Sequence, residues 1–341
     1  MIDRRAFLAS AGATLVTGPT ASLAQTTPAK KLRIVVVANR YHEADGLMAA
    51  ACNQMKHNPN LSIPYNVAWP RPQTDPPTDR QKPRCLIDVL KDPSGKALSA
   101  TVEIWCIDDL ANTKGVSGDK ITAMDLITNY TSPASAPDGV VAFGTAGYPG
   151  LASNNGCSTI GGTIYIHDAA KDVPGFPGGT WEWSGFMEKL VPSKTPASFF
   201  TSVAADQKTM EAISLEMIAP QIRPAGALQL LIDGDAVGIS SVNIPSVGPG
   251  APPPYCDIDS KAIALAKKAG ATNITSVETT HGVIRSKWDK APFIYVTAIP
   301  NRVCHFPDEA SQKYAQEFPS SHNAGVALKY VMPHFASAIT Q

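Results

Sequence analysis

The sequence predicts an α/β protein, a single domain with a central mixed, twisted sheet flanked by helices. Short apolar runs rich in β-branched residues alternate with helix-forming segments along most of the chain. The runs are nearly continuous in apolar residues, as in strands that are buried on both faces. Strands that alternate with helices are typical of a sheet covered on both sides. The 341 residues are enough to bury one large core.

The first half of the chain begins with the clearest strand, LRIVVVA at 32–38, and a helix follows at 44–55. Residues 64–84 are dense in proline and predict an irregular insertion. The next predicted elements, in chain order, are a strand at 102–107, a helix at 119–129, and strands at 140–144 and 162–167.

The second half contains a second insertion near 244–257, where Pro and Gly are frequent. An amphipathic pattern at 260–269 predicts the clearest helix of this half. The strand at 293–299 is expected to stop at Pro300. The other predicted elements are a helix at 208–222, strands at 236–242 and 274–277, and a final helix at 321–338.

Residues 1–24 have the features of a twin-arginine signal peptide in the expected order. Arg4 and Arg5 precede an apolar stretch of small residues, which ends at a sequence that resembles a cleavage site, Ser22-Leu23-Ala24. The stretch is too short and too rich in Gly, Ser and Thr for a good membrane span. We therefore expect a periplasmic or secreted protein, a mature domain at 25–341, and no membrane attachment after the signal is removed.

The charge balance excludes several classes of partner. The whole chain has a formal net charge of zero, and loss of Arg4, Arg5 and Asp3 with the signal leaves about −1. A nearly neutral protein binds nucleic acid or an anionic membrane surface weakly. The sequence therefore predicts a small-molecule ligand.

Six cysteines, at positions 52, 85, 106, 157, 256 and 304, are widely spread. No CxxC pair or Cys/His cluster has the spacing of a metal site, so we expect no metal. Most of the six are expected to be buried free thiols, although an exported protein permits disulfides. Cys85 and Cys256 both lie in loop-like sequence and are the predicted disulfide pair.

The candidate site lies where two apolar segments end. Glu278 follows the strand at 274–277, and Asn301 follows the strand at 293–299. Ligands of open α/β sheets bind at the carboxyl ends of strands. A carboxylate and an amide at such ends suit a sugar and a heterocyclic base.

Several short segments occur in a characteristic order. They are FGTAG at 143–147, STIGGTIYIHDA at 158–169, AVGISSVN at 236–243, VETTHGVI at 277–284, TAIPNRV at 297–303 and HNAGVALKYVMPHF at 322–335, with Glu43 just beyond the first strand. In this order and spacing the chain resembles the nucleoside phosphorylase and nucleosidase family, which includes purine nucleoside phosphorylases and methylthioadenosine nucleosidases. The resemblance covers most of the mature chain, and it rests on the order because each segment alone is weak.

The resemblance implies cleavage of the N-glycosidic bond of a purine nucleoside, by hydrolysis or phosphorolysis, in purine salvage. It implies no cofactor, and phosphate is a possible co-substrate. Glu278 would bind the ribose hydroxyls and stabilise the positive charge that develops on the sugar. Asn301 lies where nucleosidases have an aspartate that protonates the purine and where trimeric purine phosphorylases have asparagine. Glu43, displaced by about two residues from the family pattern, would be the general base that activates water.

The resemblance also implies a set of binding residues. Gly144, Thr145, Ala146 and Gly147 would approach the base or ribose through their backbone, Val242 and Asn243 would pack beside the base, and Thr279 would lie next to Glu278. The glycine-rich phosphate turn of the phosphorylases is missing, and Asn39-Arg40-Tyr41-His42 stands in its place. Arg40 and Arg302, with His42 and Arg285, are the candidate phosphate ligands. Family members form homo-oligomers, so we expect the same here.

Two alternatives remain open, one because the amide of Asn301 cannot act as a general acid and Glu43 is displaced, and one because of the long insertions at 64–84 and 244–257. The departing base would then be protonated by a nearby acid such as Asp308, or be assisted by hydrogen bonding alone. Water is slightly preferred over phosphate as the nucleophile. The chain would otherwise be an exported nucleoside-binding protein without catalysis, or a divergent enzyme that acts on a different substrate. His281 and His322 are further possible pocket residues, although a lone histidine near an apolar run is more often structural.

Overall fold

The computed structural model describes residues 31–52, 65–68, 80–111, 120–167, 189–191, 195–223, 226–239, 254–309 and 313–340. They belong to one compact unit, Lys31–Gln341. The predicted signal peptide, the predicted base-contacting residues Val242 and Asn243, and most of both insertions lie outside these ranges.

Ten strands within the described ranges form one mixed sheet. They are β1 (Leu32–Ala38), β2 (Tyr65–Ala68), β3 (Cys85–Lys91), β4 (Ala97–Cys106), β5 (Gly139–Tyr148), β6 (Ser158–His167), β7 (Lys189–Val191), β8 (Leu230–Ile239), β9 (Ile274–Glu278) and β10 (Phe293–Arg302). Strand β1 lies between β4 and β5 and is parallel to both. Beyond β4, β3 and β2 add antiparallel strands to one edge, and β7 is antiparallel to β6.

Strand β5 is the branch point of the sheet. One of its edges pairs with β10, and the sheet then continues through β6, β8 and β9 and returns to β5, so that five strands form a closed ring. On the other edge, β1 pairs with the first half of β5 as far as Phe143, and β9 pairs with it only at Gly147. Because β1 is parallel and β9 antiparallel to β5, their carboxyl ends converge from opposite directions on residues 144–146, which neither of these two strands pairs with. This convergence forms the kind of switch point at which α/β proteins bind ligands.

Ten α-helices lie among the described residues. They are α1 (Tyr41–Ala51), α2 (Ile107–Ala111), α3 (Lys120–Ala123), α4 (Asp125–Asn129), α5 (Ala197–Ala205), α6 (Gln207–Glu216), α7 (Pro254–Lys268), α8 (His281–Lys287), α9 (Phe306–Glu309) and α10 (Phe318–Ala338). A single turn of 3₁₀-helix (Ala152–Asn154) and a π-helical turn (Lys313–Glu317) complete the set. None of these helices combines the length and the apolar character that crossing a membrane requires.

Apolar side chains fill both faces of the sheet. One core cluster contains residues of α1 and α10 with Val36 and Val296, and a second contains residues of α4 and α8 with Trp105 and Phe293. Helices α1 and α10 pack closely because Gly46 faces α10, where an added Cβ would lie 2.6 Å from the Cβ of Ser321. The predicted α/β class, a central mixed sheet flanked by helices, is confirmed.

Most predicted elements are present, with shifted ends. The predicted strands correspond to β1, β4, β5, β6, β8, β9 and β10, and the predicted helices at 44–55, 260–269 and 321–338 correspond to α1, α7 and α10. The helix at 119–129 is instead two short helices, α3 and α4, and the helix at 208–222 ends at Glu216 as α6. Strand β3 was not predicted.

Two predictions are wrong. Residues 65–68 of the proline-rich insertion form β2, because Tyr65 and Val67 favour a strand and pair with β3. The disulfide joins Cys256 to Cys304. Cys85 cannot reach Cys256 because it begins β3 inside the core, with its Sγ atom 2.9 Å from that of Cys52. Cysteines 52, 85, 106 and 157 are buried free thiols, as predicted for most of the six.

Candidate active site

A cleft of about 1130 Å³ opens at the switch point of the sheet. Its described lining comes from the turn between β1 and α1, Asp108 of α2, the end of β5, Ile239 of β8, Asp259 of α7, the end of β9 with the start of α8, the end of β10 with the loop that follows it, and Glu317 with Phe318. The cleft therefore collects residues from many parts of the chain that are distant in sequence. Its volume exceeds the roughly 300 to 1,000 Å³ typical of small-molecule sites.

Glu43 lies at the cleft but is fully engaged by the protein. It is the third residue of α1, and its Oε2 accepts the backbone N–H groups of Asn39 at 3.1 Å and Arg40 at 2.8 Å. Its Oε1 accepts the backbone N–H of Thr145 at 2.8 Å and the hydroxyl of Thr145 at 2.7 Å. A carboxylate has about four acceptor positions, and here the protein occupies all of them. Glu43 therefore fixes the β1–α1 turn against the end of β5.

Glu278 is held differently. It ends β9 with 7 % of its surface exposed. Its Oε2 accepts the backbone N–H groups of Thr280 and, at 2.7 Å, His281. Its Oε1 is buried and has no hydrogen-bond partner among the described residues. Half of this carboxylate is therefore anchored by the start of α8, and the other half is an unused acceptor.

The surroundings of Glu278 set its protonation. Burial raises the pKa of Glu278 to about 7, against the hydrogen bonds from His281 and Thr280 and the positive charge of Lys120, which lower it. Lys120 donates to Asn39 Oδ1 at 2.7 Å and to Thr280 Oγ1 at 3.4 Å, and burial lowers its pKa to about 7. Glu278 therefore changes its charge near neutral pH.

His281 supports the same corner. It is 1 % exposed, stacks on Tyr295 with ring centroids 5.5 Å apart, and its Nδ1 lies 3.5 Å from the hydroxyl of Thr297. Burial lowers the pKa of His281 to about 3, so the ring is neutral and forms no charged pair with Glu278, whose Oε1 lies 3.8 Å from Nδ1.

The segment 144–147, which the sequence analysis assigns to the base or ribose, lines the cleft. Gly144 allows a close approach, because an added Cβ would lie 3.3 Å from Glu43 Oε1 and 3.4 Å from His281 Nε2. The N–H of Thr145 is donated to Glu43 and is not directed at a ligand. Ala146 lies at the edge of β5 between the ends of β1 and β9, and Gly147 pairs with Val277 of β9.

Asn301 lines the cleft near the end of β10, where it pairs with Gly147 of β5. Its side-chain Nδ2 donates to the backbone oxygen of Arg302 at 2.7 Å. The loop beyond it contains Cys304, whose disulfide to Cys256 joins the loop to the first turns of α7. Asp259 of α7 also faces the cleft, and burial raises its pKa to about 7.

The remaining predicted residues divide into two groups. Arg40, His42 and Thr279 line the cleft, and Arg40 lies 3.5 Å from Asp108 while His42 lies 3.3 Å from Glu317. Those in the second group are absent from the described lining. They are Arg302, which is bound to Glu309, Arg285, which donates to backbone oxygens of residues 288 and 291, Asp308, and His322, which is buried in α10.

Sequence reasoning missed Asp259, Lys120 and Phe306. Asp259 lies just before the predicted helix and Lys120 inside a predicted one, where a charged residue normally faces water. Phe306 is 47 % exposed at the cleft, and only the placement of α9 brings it there. Within the described ranges, no group of three or more His, Cys, Asp or Glu side chains is arranged to hold a metal ion.

No protein-family model matches the chain, and no curated protein matches it. Several solved nucleosidases are similar to it in structure. A methylthioadenosine/S-adenosylhomocysteine nucleosidase from Colwellia psychrerythraea in complex with adenine is 11 % identical, with 90 % of this chain and 96 % of that chain covered and a TM-score of 0.48.

Two Helicobacter pylori structures are similar to a comparable degree. A mutant nucleosidase with 5′-methylthioadenosine in its active site is 10 % identical, with 89 % of this chain and 99 % of that chain covered and a TM-score of 0.45. The native futalosine hydrolase is 11 % identical, with 88 % and 97 % covered and a TM-score of 0.45. Similarity at this level assigns no function, which has to be argued from the cleft.

Proposed function

We propose that the protein hydrolyses the N-glycosidic bond of a purine nucleoside and releases the free base. The observation that carries this proposal is the unpaired, buried Oε1 of Glu278 in a cleft of about 1130 Å³. A buried acceptor without a partner costs free energy of about 1 to 3 kcal/mol, and a ligand hydroxyl would satisfy it. The two backbone N–H groups on Oε2 hold the carboxylate ready for that hydroxyl.

The chemistry of glycosidic cleavage suits such a carboxylate. As the bond breaks, positive charge develops on the sugar and negative charge on the departing base. A carboxylate held beside the sugar accepts its hydroxyl protons and stabilises the positive charge electrostatically. The low polarity around Glu278 strengthens both effects once the ligand excludes water.

Water is the proposed nucleophile because the described cleft offers few cations for phosphate. Arg40 is the one arginine of the described lining, and it lies 3.5 Å from Asp108. Arg302, the other candidate, gives its guanidinium to Glu309 outside that lining. A phosphate in the cleft would also meet the carboxylates of Glu43, Asp108 and Glu278, whose negative charge repels it.

The test is an incubation of the mature protein with purine and pyrimidine nucleosides, with and without phosphate, followed by chromatography of base and sugar. Release of purine base and free sugar without phosphate is the expected result. Release that depends on phosphate, with a sugar phosphate as product, would make the protein a phosphorylase. Absence of release from protein shown to be folded would overturn the enzymatic proposal.

A second candidate function is nucleoside binding without catalysis. Glu43 has no free acceptor position for a water proton, because four hydrogen bonds from the protein fill it. The amide of Asn301 cannot protonate a departing base. Calorimetric titration of nucleosides distinguishes this candidate, since binding without any base release is its signature.

The proposal extends to location and assembly. Arg4, Arg5 and the small-residue stretch up to residue 24 support export by the twin-arginine route. Replacement of both arginines by lysine should then keep the protein in the cytoplasm of an expressing bacterium. By its resemblance the protein would be a homo-oligomer, and light scattering of the purified chain measures this directly.

A further inference from the structure

The carboxyl group of Asp259 faces the cleft without a partner. No hydrogen bond or ion pair joins it to another described residue, although it belongs to the described lining together with Asn301 and Glu278. A surface carboxylate is normally hydrated or paired with a cation. An unpaired acid in the wall of a cleft is instead suited to exchange a proton with whatever occupies that cleft.

The disulfide fixes the position of this acid. Cys256 and Cys304 have Cα atoms 4.6 Å apart. Asp259 lies three residues after Cys256, about one helical turn further along α7, and Asn301 lies three residues before Cys304. Both residues line the cleft, and the disulfide links the helix that carries Asp259 to the loop that follows Asn301.

We propose that Asp259 donates a proton to the departing base. Asn301 cannot supply that proton, because its side chain is an amide. This inference rests on the proposed function. It assigns the two sides of the cleft, with Glu278 beside the sugar and Asp259 beside the base. Asn301 then orients the base by hydrogen bonding and leaves proton transfer to Asp259.

In the proposed cleavage step, the C1′–N bond breaks and its electron pair stays on the base nitrogen. The carboxylic acid of Asp259 gives its proton to the base. Water adds to C1′ and loses one proton, which solvent returns to the Asp259 carboxylate. One nucleoside and one water therefore become one free base and one sugar, with no oxidant, metal or other co-reactant.

The environment of Asp259 leaves part of the population in the acid form near neutral pH. Burial raises the pKa of Asp259 to about 7, with no other cause opposing it. Helix α7 packs against β8 and β9 and is linked to the loop after β10. The titratable groups of these elements and of α9 are Asp233, Asp235, Glu278, Arg302, His305, Asp308 and Glu309, and none of them pairs with Asp259. Helix α7 itself adds Asp257, Lys261, Lys267 and Lys268, and Arg302 is bound to Glu309.

The decisive experiment compares two leaving groups. Asp259→Asn should lower turnover of a purine nucleoside by about 100-fold to 10,000-fold, the usual contribution of a general acid. Turnover of 4-nitrophenyl riboside should change less than about threefold, because nitrophenolate leaves without a proton. Asp257 is an exposed acid on the same helix. Asp257→Asn is therefore the matched control and should leave both rates unchanged. Equal losses on both substrates, or no loss on either, would overturn the assignment.

If the wild-type protein releases no base, the proposed function is refuted. A binding measurement then tests the donor role of Asp259 on its own. The affinity for free adenine is then measured from pH 6 to 9 in the wild-type protein and in Asp259→Asn. Donation by Asp259 requires wild-type affinity to fall at least about tenfold as pH rises through about 7. The amide donates at every pH, so the affinity of the variant should stay level. A level wild-type profile, or identical profiles, would overturn the donor role.

Discussion

Glu43 and Thr145 are joined by two hydrogen bonds, because Oε1 of Glu43 accepts both the backbone N–H at 2.8 Å and the hydroxyl at 2.7 Å. The pair connects the first turn of α1 to the unpaired edge of β5. It holds open the cleft floor on which both proposals depend. It also explains why a glutamate that the sequence offered as a general base has every acceptor position filled.

Thr145→Val removes the hydroxyl donor and keeps the side-chain shape. A hydrogen bond to a charged group contributes about 1.5 to 3 kcal/mol, so the free energy of unfolding should fall by that amount. Urea unfolding measures it as a lower midpoint at an unchanged slope. Thr279→Val is the control, because that cleft hydroxyl makes no hydrogen bond among the described residues and its loss should cost under about 0.5 kcal/mol. Equal effects of the two substitutions would show that the Glu43 contact contributes nothing.

Glu278 should make the stability of the protein depend on pH. Its pKa rises from 4.5 when unfolded to about 7 when folded, so the folded state favours the protonated form. The stabilisation is complete below about 4.5 and is lost as pH rises through about 7. This shift corresponds to roughly 3 kcal/mol. Between pH 5 and 8 the wild-type protein should therefore lose about 2 to 3 kcal/mol more than Glu278→Gln, by urea unfolding at each pH. Parallel stability curves would contradict the raised pKa.

Glu278→Gln should also lower turnover. The amide keeps the size of the side chain but loses the charge that stabilises the sugar, which should cost about 100-fold to 1,000-fold in kcat. Asp257→Asn, at an exposed position of α7, is the control and should keep the wild-type rate. Steady-state kinetics of base release measures both variants. An unchanged kcat in folded Glu278→Gln would remove the residue from the mechanism.

The parts of the fold that were predictable are those determined by local pattern. The LRIVVVA run becomes β1 with its last five residues buried, because a strand covered on both faces needs no alternation. Strand β10 illustrates the limit. It was expected to stop before Pro300, yet it continues to Arg302, with a register shift between Ala298 and Asn301 that accommodates the proline.

The parts that could not be predicted depend on contacts between distant segments. Cys256 and Cys304 are separated by 48 positions, and only the placement of α7 over the closed ring of strands brings them together. The same placement carries Asp259 to the cleft. Its position at the cleft has no local signature, because the residues around it in the sequence are those of an ordinary amphipathic helix.

Loss of the Cys256–Cys304 disulfide should lower stability and loosen the cleft. A closed loop of 48 positions corresponds to about 4 kcal/mol of chain entropy in the unfolded state. A Cys256→Ser/Cys304→Ser double variant should lose about that much by urea unfolding and should bind nucleosides more weakly, because α7 is no longer tied to the Asn301 loop. Wild-type protein treated with a reductant should match the variant, and the reductant should not affect the variant itself. Unchanged stability and affinity in the variant would show that packing alone holds α7.

Arg302 provides a test of the nucleophile. Its guanidinium binds Glu309 Oε1 at 2.6 and 2.8 Å, and Glu309 is only 5 % exposed. Arg302→Met leaves that carboxylate without its cation, which should cost about 2 to 3 kcal/mol, less than a fully buried pair because the arginine is partly exposed. Adding Glu309→Gln should restore part of the stability, since the uncompensated charge is then gone. Base release by Arg302→Met should respond to phosphate in the same way as the wild-type protein. A phosphate-dependent rate that disappears with Arg302 would instead mean that the arginine exchanges Glu309 for phosphate during turnover, and the protein would then be a phosphorylase.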